Sequence, residues 1–210
     1  GKSGDEFEAA AIAYIKDDLR KHQRIIFNGN GYSDEWPVEA ERRGLANHPT
    51  TADALPCFID QKSIDLFVEV RSRYEVKLEK YNKLLNIEAR TMKRMVRRFF
   101  LPAINSFAAD VARDIAQVKA ALPSADQTFQ EKKLQTVVDG TKRVEEALDA
   151  LNTAHLANVE IADQQERAND NAHHVIPLMD ELRAAIDAME IVVDDNHWPV
   201  PTYNEILFYC

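Results

Sequence analysis

The residues that most directly suggest metal chemistry are two adjacent histidines, His173 and His174. On a helix these side chains would point about 100° apart, and only Asp170 and Glu181 lie nearby along the chain. Zinc requires three or four converging ligands. Further histidines are scattered: His48, His155 and His197. We therefore favour histidines on the surface or in a polar core over a metal site.

Two other side chains could act as a nucleophile or as an acid. Cys57 lies in an apolar run, residues 55–59, without a neighbouring histidine to activate it, and Cys210 is the last residue. This spacing predicts reduced thiols and no disulfide framework. Glu88 interrupts an apolar seam, where a buried carboxylate would need a partner such as Arg73 or Arg113. A structural role for Glu88 is favoured over a catalytic one.

Two short motifs could bind phosphate. Gly1, Lys2 and Ser3 repeat the end of a phosphate-binding loop, but that motif also needs an earlier glycine and a strand. Residues 28–31, Asn-Gly-Asn-Gly, could present backbone N–H groups as an anion-binding nest. Glycine and asparagine are equally typical of a reversal that uses positive φ, so an ordinary turn is favoured.

One dense basic stretch stands out: Arg90, Lys93, Arg94, Arg97 and Arg98. Three of its arginines share a helix face away from the apolar seam. The face could bind an acidic surface of another domain or subunit. A solvated face paired with Glu145, Glu146 or Asp149 is the favoured alternative.

Charge and hydropathy restrict the class of partner. The net charge is -9 over 210 residues, which argues against nucleic acid and against an anionic membrane surface. No apolar run approaches the roughly 20 residues that span a bilayer, and no signal peptide is recognisable. The composition is that of a folded protein, and the cytoplasm is the expected compartment.

Short elements are predicted in the first third of the chain. An amphipathic helix over residues 5–23 carries apolar residues at steps of four: Phe7, Ala11, Ile15 and Leu19. A short extended run over residues 24–27 and a turn follow. Ser33 is expected to cap the next helix, Gly44 to end it in the left-handed conformation, and Thr51 to cap another that Pro56 stops.

Three apolar seams then predict long helices. The first contains Tyr74, Leu78, Tyr81, Leu85, Glu88, Met92, Met95 and Phe99, and resumes with a kink after Pro102 at Ile104, Phe107, Val111, Ile115, Val118 and Leu122. The second, after a capping box of Thr128 and Glu131, contains Leu134, Val137, Thr141, Val144, Leu148 and Leu151, and turns polar at His155 and Asn158. The third contains Val175, Met179, Leu182, Ile186, Met189 and Val193. The first two seams predict an antiparallel hairpin, and Gly140 is expected to weaken the second helix.

The fold class predicted is mainly α, a long antiparallel bundle of about three long helices. Short helices and an extended segment precede it in residues 1–70, the bundle occupies residues 71–196, and an apolar tail, residues 197–210, is expected to dock. The candidate contacts with partners are Arg90, Arg94, Arg97, Arg98, Trp198, Tyr203 and Phe208.

Several stretches resemble the C-terminal region of type III glutamine synthetases. The first is residues 24–33, Arg-Ile-Ile-Phe-Asn-Gly-Asn-Gly-Tyr-Ser, continued by Glu35, Trp36, Glu39, Ala40, Arg43, Gly44, Leu45, Thr50, Thr51, Ala54 and Leu55. The next are residues 72–75, Tyr81, residues 87–89, Thr91, Met92 and residues 101–103. The last are residues 175–177, Met179, Leu182, Arg183, Trp198, Pro199, Pro201, Thr202, Tyr203, Leu207 and Phe208. Residues 108–169 match only in helical character, and Pro37 departs from the family's pattern.

The resemblance implies a parent enzyme that joins ammonia to glutamate through an acyl phosphate made from ATP, with Mg or Mn held by carboxylates. It also implies an oligomer, so the partners expected are the rest of the same subunit and neighbouring subunits. The family's catalytic motifs lie upstream of this sequence, and no catalytic, metal or cofactor-binding residue is assigned here. This fragment alone is expected to be inactive, with no cofactor of its own. The alternative is an independent helical adaptor module.

Overall fold

The computed structural model describes residues 3–60, 64, 69–201 and 203–208. Every regular element in these ranges is helical, which confirms the predicted fold class. The chain divides into two compact units, Gly1–Pro49 and Thr50–Cys210. The division into residues 1–70, 71–196 and 197–210 stays a prediction. The first two residues of the phosphate-loop motif and the terminal Cys210 lie outside the described residues.

The first unit begins with helix α1, Asp5–Lys21. Acidic residues fill its first turn and basic residues its last, so both ends complement the helix dipole. The predicted helix is confirmed, with its C-terminal end two residues earlier than expected. None of its 17 residues is buried. The apolar stripe at steps of four therefore lies on an exposed helix.

The segment after α1 differs from its prediction. A 3-10 turn, Gln23–Ile25, occupies the first half of the run predicted to be extended, and extended backbone begins only at Ile26. Asn30 then organises the turn: its Oδ1 accepts the N–H of Tyr32 at 3.0 Å, and its carbonyl oxygen accepts the Ser33 hydroxyl at 2.7 Å. Positive φ is not used at Gly29 or Gly31, so the alternating backbone of an anion nest is not formed.

Helix α2, Glu35–Arg42, completes the first unit. The prediction that Ser33 caps this helix is wrong. The residue directly before the helix is Asp34, and no side chain caps the first turn. The C-terminal end is as predicted. Gly44 lies at φ 66°, and the N–H of Leu45 reaches back to the carbonyl of Ala40 at 2.8 Å, as in a Schellman end.

Arginine and aromatic side chains tie α2 to the segment before it. The rings of Phe27 and Trp36 lie 4.9 Å apart between centroids. The Arg43 guanidinium donates to the carbonyl of Ile26 and to Glu39, both at 2.5 Å. Hydrogen bonds from Arg42 and Arg43 lower the pKa of Glu39 to about 2. Glu39 is therefore ionised at any physiological pH and holds the arginines in place.

The second unit contains the bundle. Its elements are α3, Thr51–Ala54; a 3-10 turn, Leu55–Ile59; α4, Val70–Met95; a π-helical turn, Val96–Phe100; α5, Leu101–Ala121; α6, Thr128–Glu160; α7, Gln164–Asp170; a second π-helical turn, Asn171–Val175; α8, Ile176–Glu190; and α9, Tyr203–Leu207. Helix α6 packs against α5, α8 and α4. Residue numbers run in opposite directions along the packed helices. Lys119 of α5 pairs with Glu131 near the start of α6, whereas Lys93 of α4 contacts His155 near the end of α6. This confirms the antiparallel hairpin.

The main core lies where these helices meet. Its buried members come from all three predicted seams and include Ala89, Val96, Phe100, Ile104, Phe107, Val137, Val144, Leu148, Leu151, Val175, Leu182, Ile186, Met189, Val193 and Trp198. A smaller apolar cluster joins α3, α4 and α7: Ala52, Leu55, Leu78, Ala168 and Ala172. The seams therefore identify most of the core, but four predicted seam residues are exposed: Glu88, Phe99, Val118 and Leu122.

A π-helical turn precedes two prolines within the long helices of the bundle. Pro102 follows the turn Val96–Phe100, and Pro177 follows the turn Asn171–Val175. A proline ring crowds the carbonyl four residues earlier, and that carbonyl lies inside the wider turn in both cases. The chain stays helical through Pro102. The extra residue per turn rotates the seam, so that Phe100 is buried and the predicted Phe99 is exposed.

Gly140 has a packing role that the sequence did not reveal. A Cβ added at this position in α6 would lie 2.1 Å from the Sδ atom of Met189, which is buried on α8. Alanine would be the better helix former by roughly 1 kcal/mol, but the flexible Met189 side chain would have to shift to make room for it. Glycine therefore leaves space for the Met189 thioether against α6.

Two predicted caps are wrong by one residue. The side chain that accepts the N–H of Asp53 belongs to Thr50, at 3.1 Å, and Thr51 is the first helical residue of α3. Thr128 likewise begins α6 and donates to Asp126 at 2.6 Å, so the capping box with Glu131 is not formed. In the second case the Asp126 carboxylate also accepts the backbone N–H of Thr128, at 2.9 Å.

Candidate functional site

The basic face lies at the C-terminal end of α4 and on the π-helical turn that follows. Arg90, Arg94, Arg97 and Arg98 are exposed, and their side chains make no ion pair or hydrogen bond with any other residue that the structure describes. The predicted pairing with the acidic residues of α6 is wrong, since Glu146 pairs with Lys142 at 3.7 Å. The four guanidinium groups thus form an uncompensated positive surface on an acidic protein.

Lys93, the fifth basic residue of the stretch, is buried instead of exposed. Its side chain retains 7% of its accessible surface. The ammonium group donates to Asn152 Oδ1 at 3.1 Å and lies 3.0 Å from His155 Nδ1. His155 Nε2 lies 2.9 Å from Asn86 Oδ1. The network is consistent with a neutral imidazole that accepts from Lys93 and donates to Asn86.

The protonation states in this cluster follow from burial and from like charges. Desolvation lowers the pKa of Lys93, and the nearby Arg97 and Arg90 lower it further. Desolvation also lowers the pKa of His155, with Lys93 and Arg90 acting in the same direction. No carboxylate in the described part of the chain contacts Lys93. The cluster therefore holds a positive charge through neutral hydrogen-bond acceptors alone.

The sequence carries a signal for the burial of Lys93. This residue stands four positions after buried Ala89 and three before buried Val96, which is a core position. His155 was recognised as a polar seam position, and the structure supplies its partner. What the sequence could not show is that these two side chains meet, because 62 residues separate them.

A second polar network fills the far end of α6. Asn158 donates to Asp170 at 2.8 Å. On the facing helix, Asn82 donates to the carbonyl and the side chain of Gln164, both at 2.9 Å, and accepts from Asn171 at 3.0 Å. These buried amides are paired, so the polar seam beyond Leu151 is a hydrogen-bonded extension of the core.

A groove runs between α4 and α8 with a volume of about 830 Å³. Apolar side chains form most of its surface, with three methionines among them: Met92, Met95 and Met179. Glu88 lines it and is exposed, which corrects the expectation of a buried seam carboxylate. Glu88 therefore needs no buried cation, and neither Arg73 nor Arg113 pairs with it.

The C-terminal segment docks only in its first part. Trp198 is 8% exposed, and its ring centroid lies 5.2 Å from that of Phe100. His197 Nε2 lies 3.1 Å from Asp110 Oδ2. Phe208 is 73% exposed, so the predicted docking is wrong at that residue. The side chain of Tyr203 lies outside the described residues.

The remaining candidates have ordinary surroundings. His173 and His174 are exposed and face different carboxylates, Asp53 at 3.5 Å and Asp170 at 2.7 Å. Cys57 is exposed. No three His, Cys, Asp or Glu side chains converge as metal ligands in the ranges that the structure covers. These residues do not fit the divalent metal that the resemblance implies. Among the described helices, none is long and apolar enough to cross a membrane.

Comparison with known proteins identifies relatives over nearly the whole chain. The sequence model of the glutamine synthetase C-terminal domain matches residues 10–119. A glutamine synthetase of Butyrivibrio fibrisolvens is 34% identical over 229 residues, which cover 98% of this chain and 31% of that protein. The type-3 glutamine synthetase of Dictyostelium discoideum is 35% identical, covering 92% of this chain and 28% of that protein. A glutamine synthetase of Bacteroides fragilis is 26% identical over 96% of this chain and 29% of its own length. The chain thus spans less than a third of these relatives.

Proposed function

This chain belongs to the glutamine synthetase C-terminal domain family, and from that premise we propose that it is the structural and assembly region of a larger glutamine synthetase. The parent reaction would join ammonia to glutamate with hydrolysis of ATP to ADP and phosphate. The relatives bear that name and are more than three times as long. Their length favours part of an enzyme over an independent adaptor module.

The exposed stripe of α1 is the observation that carries this proposal. Phe7, Ile12, Ile15 and Leu19 are each 44 to 62% exposed on a helix without a buried residue. An isolated helix of 17 residues is marginal in water, and packing of its apolar face normally stabilises it. The partner we propose for this stripe is the preceding part of the same synthetase subunit.

Placing carboxylates on the stripe tests this role. In the full-length enzyme, Ile15→Asp with Leu19→Asp is expected to lower the thermal unfolding midpoint and the yield of assembled enzyme. Each apolar side chain would lose about 1 kcal/mol of burial, and two carboxylates could not be buried without a cost of several kcal/mol. Differential scanning calorimetry and size-exclusion chromatography measure both effects.

Ala13→Asp is the matched control, because Ala13 is exposed on the opposite face of the same helix. It adds one carboxylate to the same helix, where the stripe variant adds two, at a comparable cost in helix propensity. If the stripe variant and Ala13→Asp behaved alike, and both like the unaltered enzyme, α1 would have no apolar partner and the proposal would be lost.

We further propose that ATP and Mg or Mn are bound by residues outside this chain, in a cytoplasmic enzyme. The purified 210-residue chain is accordingly expected to form no glutamine from glutamate, ammonia and ATP. Phosphoryl transfer needs metal and cationic groups converging on one phosphate. A coupled assay of ADP release, with the full-length enzyme as positive control, measures this. Turnover by the chain alone would contradict the proposal.

A further inference from the structure

The basic stretch of α4 has a small depression on its outer surface. Ile87, Arg90, Thr91 and Arg94 line this depression, and its volume is about 370 Å³. Ile87 and Arg94 each stand three or four residues from both Arg90 and Thr91, so the four side chains are neighbours on one helix face. The depression therefore brings two guanidinium groups and one hydroxyl group to a single concave surface.

The positive charge of the depression is not neutralised by the residues that the structure describes. Arg90 and Arg94 are exposed, and neither makes an ion pair or a hydrogen bond within the described ranges. Lys83 of the same helix, by contrast, pairs with Glu79 one turn earlier, at 2.6 Å. The residues one turn after Arg90 and Arg94 are Arg94 and Arg98. Like charges at this spacing repel each other, so an anion bound between them would relieve an unfavourable interaction.

A buried ammonium group adds to the positive potential behind the depression. The pKa of Lys93 is lowered by burial and then by Arg97 and Arg90, so these cations interact through space. The side chains that contact the ammonium group, Asn152 and His155, are not carboxylates. The protein interior therefore offers no negative charge at this point that would weaken the attraction for an anion at the surface.

We propose that the depression binds the phosphate group of a small phosphorylated molecule, through Arg90, Arg94 and Thr91. The guanidinium group donates two parallel N–H bonds to phosphate oxygens, and a hydroxyl group can donate one more. A phosphate dianion neutralises both arginines, whereas a single carboxylate neutralises only one. Ile87 is 58% exposed and gives the carbon skeleton of such a molecule an apolar contact.

The charge of the whole chain favours a small anion over an acidic protein surface. The net charge is -9, so a broad acidic partner would meet carboxylates beyond the basic stretch. A small dianion stays within the arginines, because charges on the surface are screened over about 10 Å at 0.1 M salt. The inference goes beyond the proposed assembly role and does not depend on it. A failed α1 test would leave this site intact, and the reverse also holds.

NMR titration of the 210-residue chain tests the site, with phenyl phosphate and inorganic phosphate as probes. At about pH 8 a phosphate monoester is a dianion. Phenyl phosphate is expected to shift the amide signals around Thr91 in a saturable way, and to bind more tightly than inorganic phosphate because its ring contacts Ile87. Benzoate has the same ring with a single carboxylate, and its dissociation constant should be at least about tenfold higher.

Two pairs of substitutions locate the binding site. Arg90→Gln with Arg94→Gln should raise the dissociation constant of phenyl phosphate at least about tenfold, because both charge-assisted contacts are lost. Arg97→Gln with Arg98→Gln is the matched control. It removes the same charge from the same stretch, but neither residue lines the depression, so the change should stay below about threefold. All four arginines are exposed, so both variants should keep their helical circular dichroism.

Two single substitutions separate the hydroxyl group from the apolar contact. Thr91→Val removes the hydroxyl group at nearly constant shape and should weaken the binding of both phosphate probes. Ile87→Ala should remove the preference for phenyl phosphate and leave the affinity for inorganic phosphate unchanged.

Three results would overturn the inference. The first is the absence of saturable shifts with phenyl phosphate up to about 10 mM, above the dissociation constant of even a weak site. The second is an equal loss of affinity in the two arginine pairs, which would reduce the effect to net charge. The third is benzoate binding as tightly as phenyl phosphate, which would make the site a contact for the carboxylates of an acidic partner.

Discussion

Replacement of Trp198 by alanine is expected to lower the free energy of unfolding of the second unit by about 3–5 kcal/mol, the usual cost of removing a buried tryptophan. The indole packs against Phe100 and belongs to the main core. Its loss would leave a cavity at the start of α5 and release the segment that follows Val193. Urea unfolding followed by circular dichroism at about 222 nm, the helix band, measures the change.

Two controls separate packing from other effects. Trp198→Phe should retain most of the stability, because the indole Nε1 has no hydrogen-bond acceptor among the described residues and only ring volume is lost. Phe208→Ala should change the unfolding free energy by less than about 0.5 kcal/mol, since Phe208 is exposed. Equal destabilisation by Phe208→Ala and Trp198→Ala would show that the whole tail docks, contrary to this prediction.

The second large effect is expected at the Lys93 and His155 cluster. His155→Leu should cost about 3 kcal/mol, because the buried ammonium group of Lys93 loses one of its two acceptors and nothing replaces it. Lys93→Met with His155→Leu should recover most of that loss. Replacing both members of a buried polar pair by apolar groups of similar shape is nearly neutral. Urea unfolding of both single variants and the double variant measures the coupling.

The pH dependence provides an independent readout of the same cluster. The pKa of His155 is lowered in the folded chain, so below about pH 6.5 the unfolded chain binds a proton that the folded chain resists. Stability from this residue is therefore lost as the pH falls through that range. The double variant should lack this contribution. Additive effects of the single variants, with an unchanged pH profile, would exclude the proposed contact.

The fold class and most of the core could be predicted because they depend on local periodicity. Buried residues such as Val144, Leu148 and Leu182 stand where the seams placed them. The prediction is wrong at Phe99, because the π-helical turn adds a residue and Phe100 is buried in its place. The sequence showed Pro102 but not how the helix would accommodate it. A helix can relieve the clash between a proline ring and the carbonyl four residues earlier either by a kink or by a wider turn.

The candidate site was predictable only in part. The four arginines are a local feature of one helix, and their exposure was expected from the seam. The sequence did not show that these arginines lack carboxylate partners. The expected partners are on α6, and the distance between side chains of α4 and α6 depends on how the bundle packs. The apolar groove between α4 and α8 is likewise a property of two helices placed side by side.

By itself, the sequence determined that this chain is a helical bundle with a docking tryptophan and a resemblance to one enzyme family, because amphipathic periodicity and short sequence motifs are local. Only the tertiary structure decided that the buried Lys93 contacts His155, that Gly140 makes room for Met189, and that α4 and α8 border one apolar groove. Each of these depends on side chains tens of residues apart, whose meeting is set by the packing of whole helices.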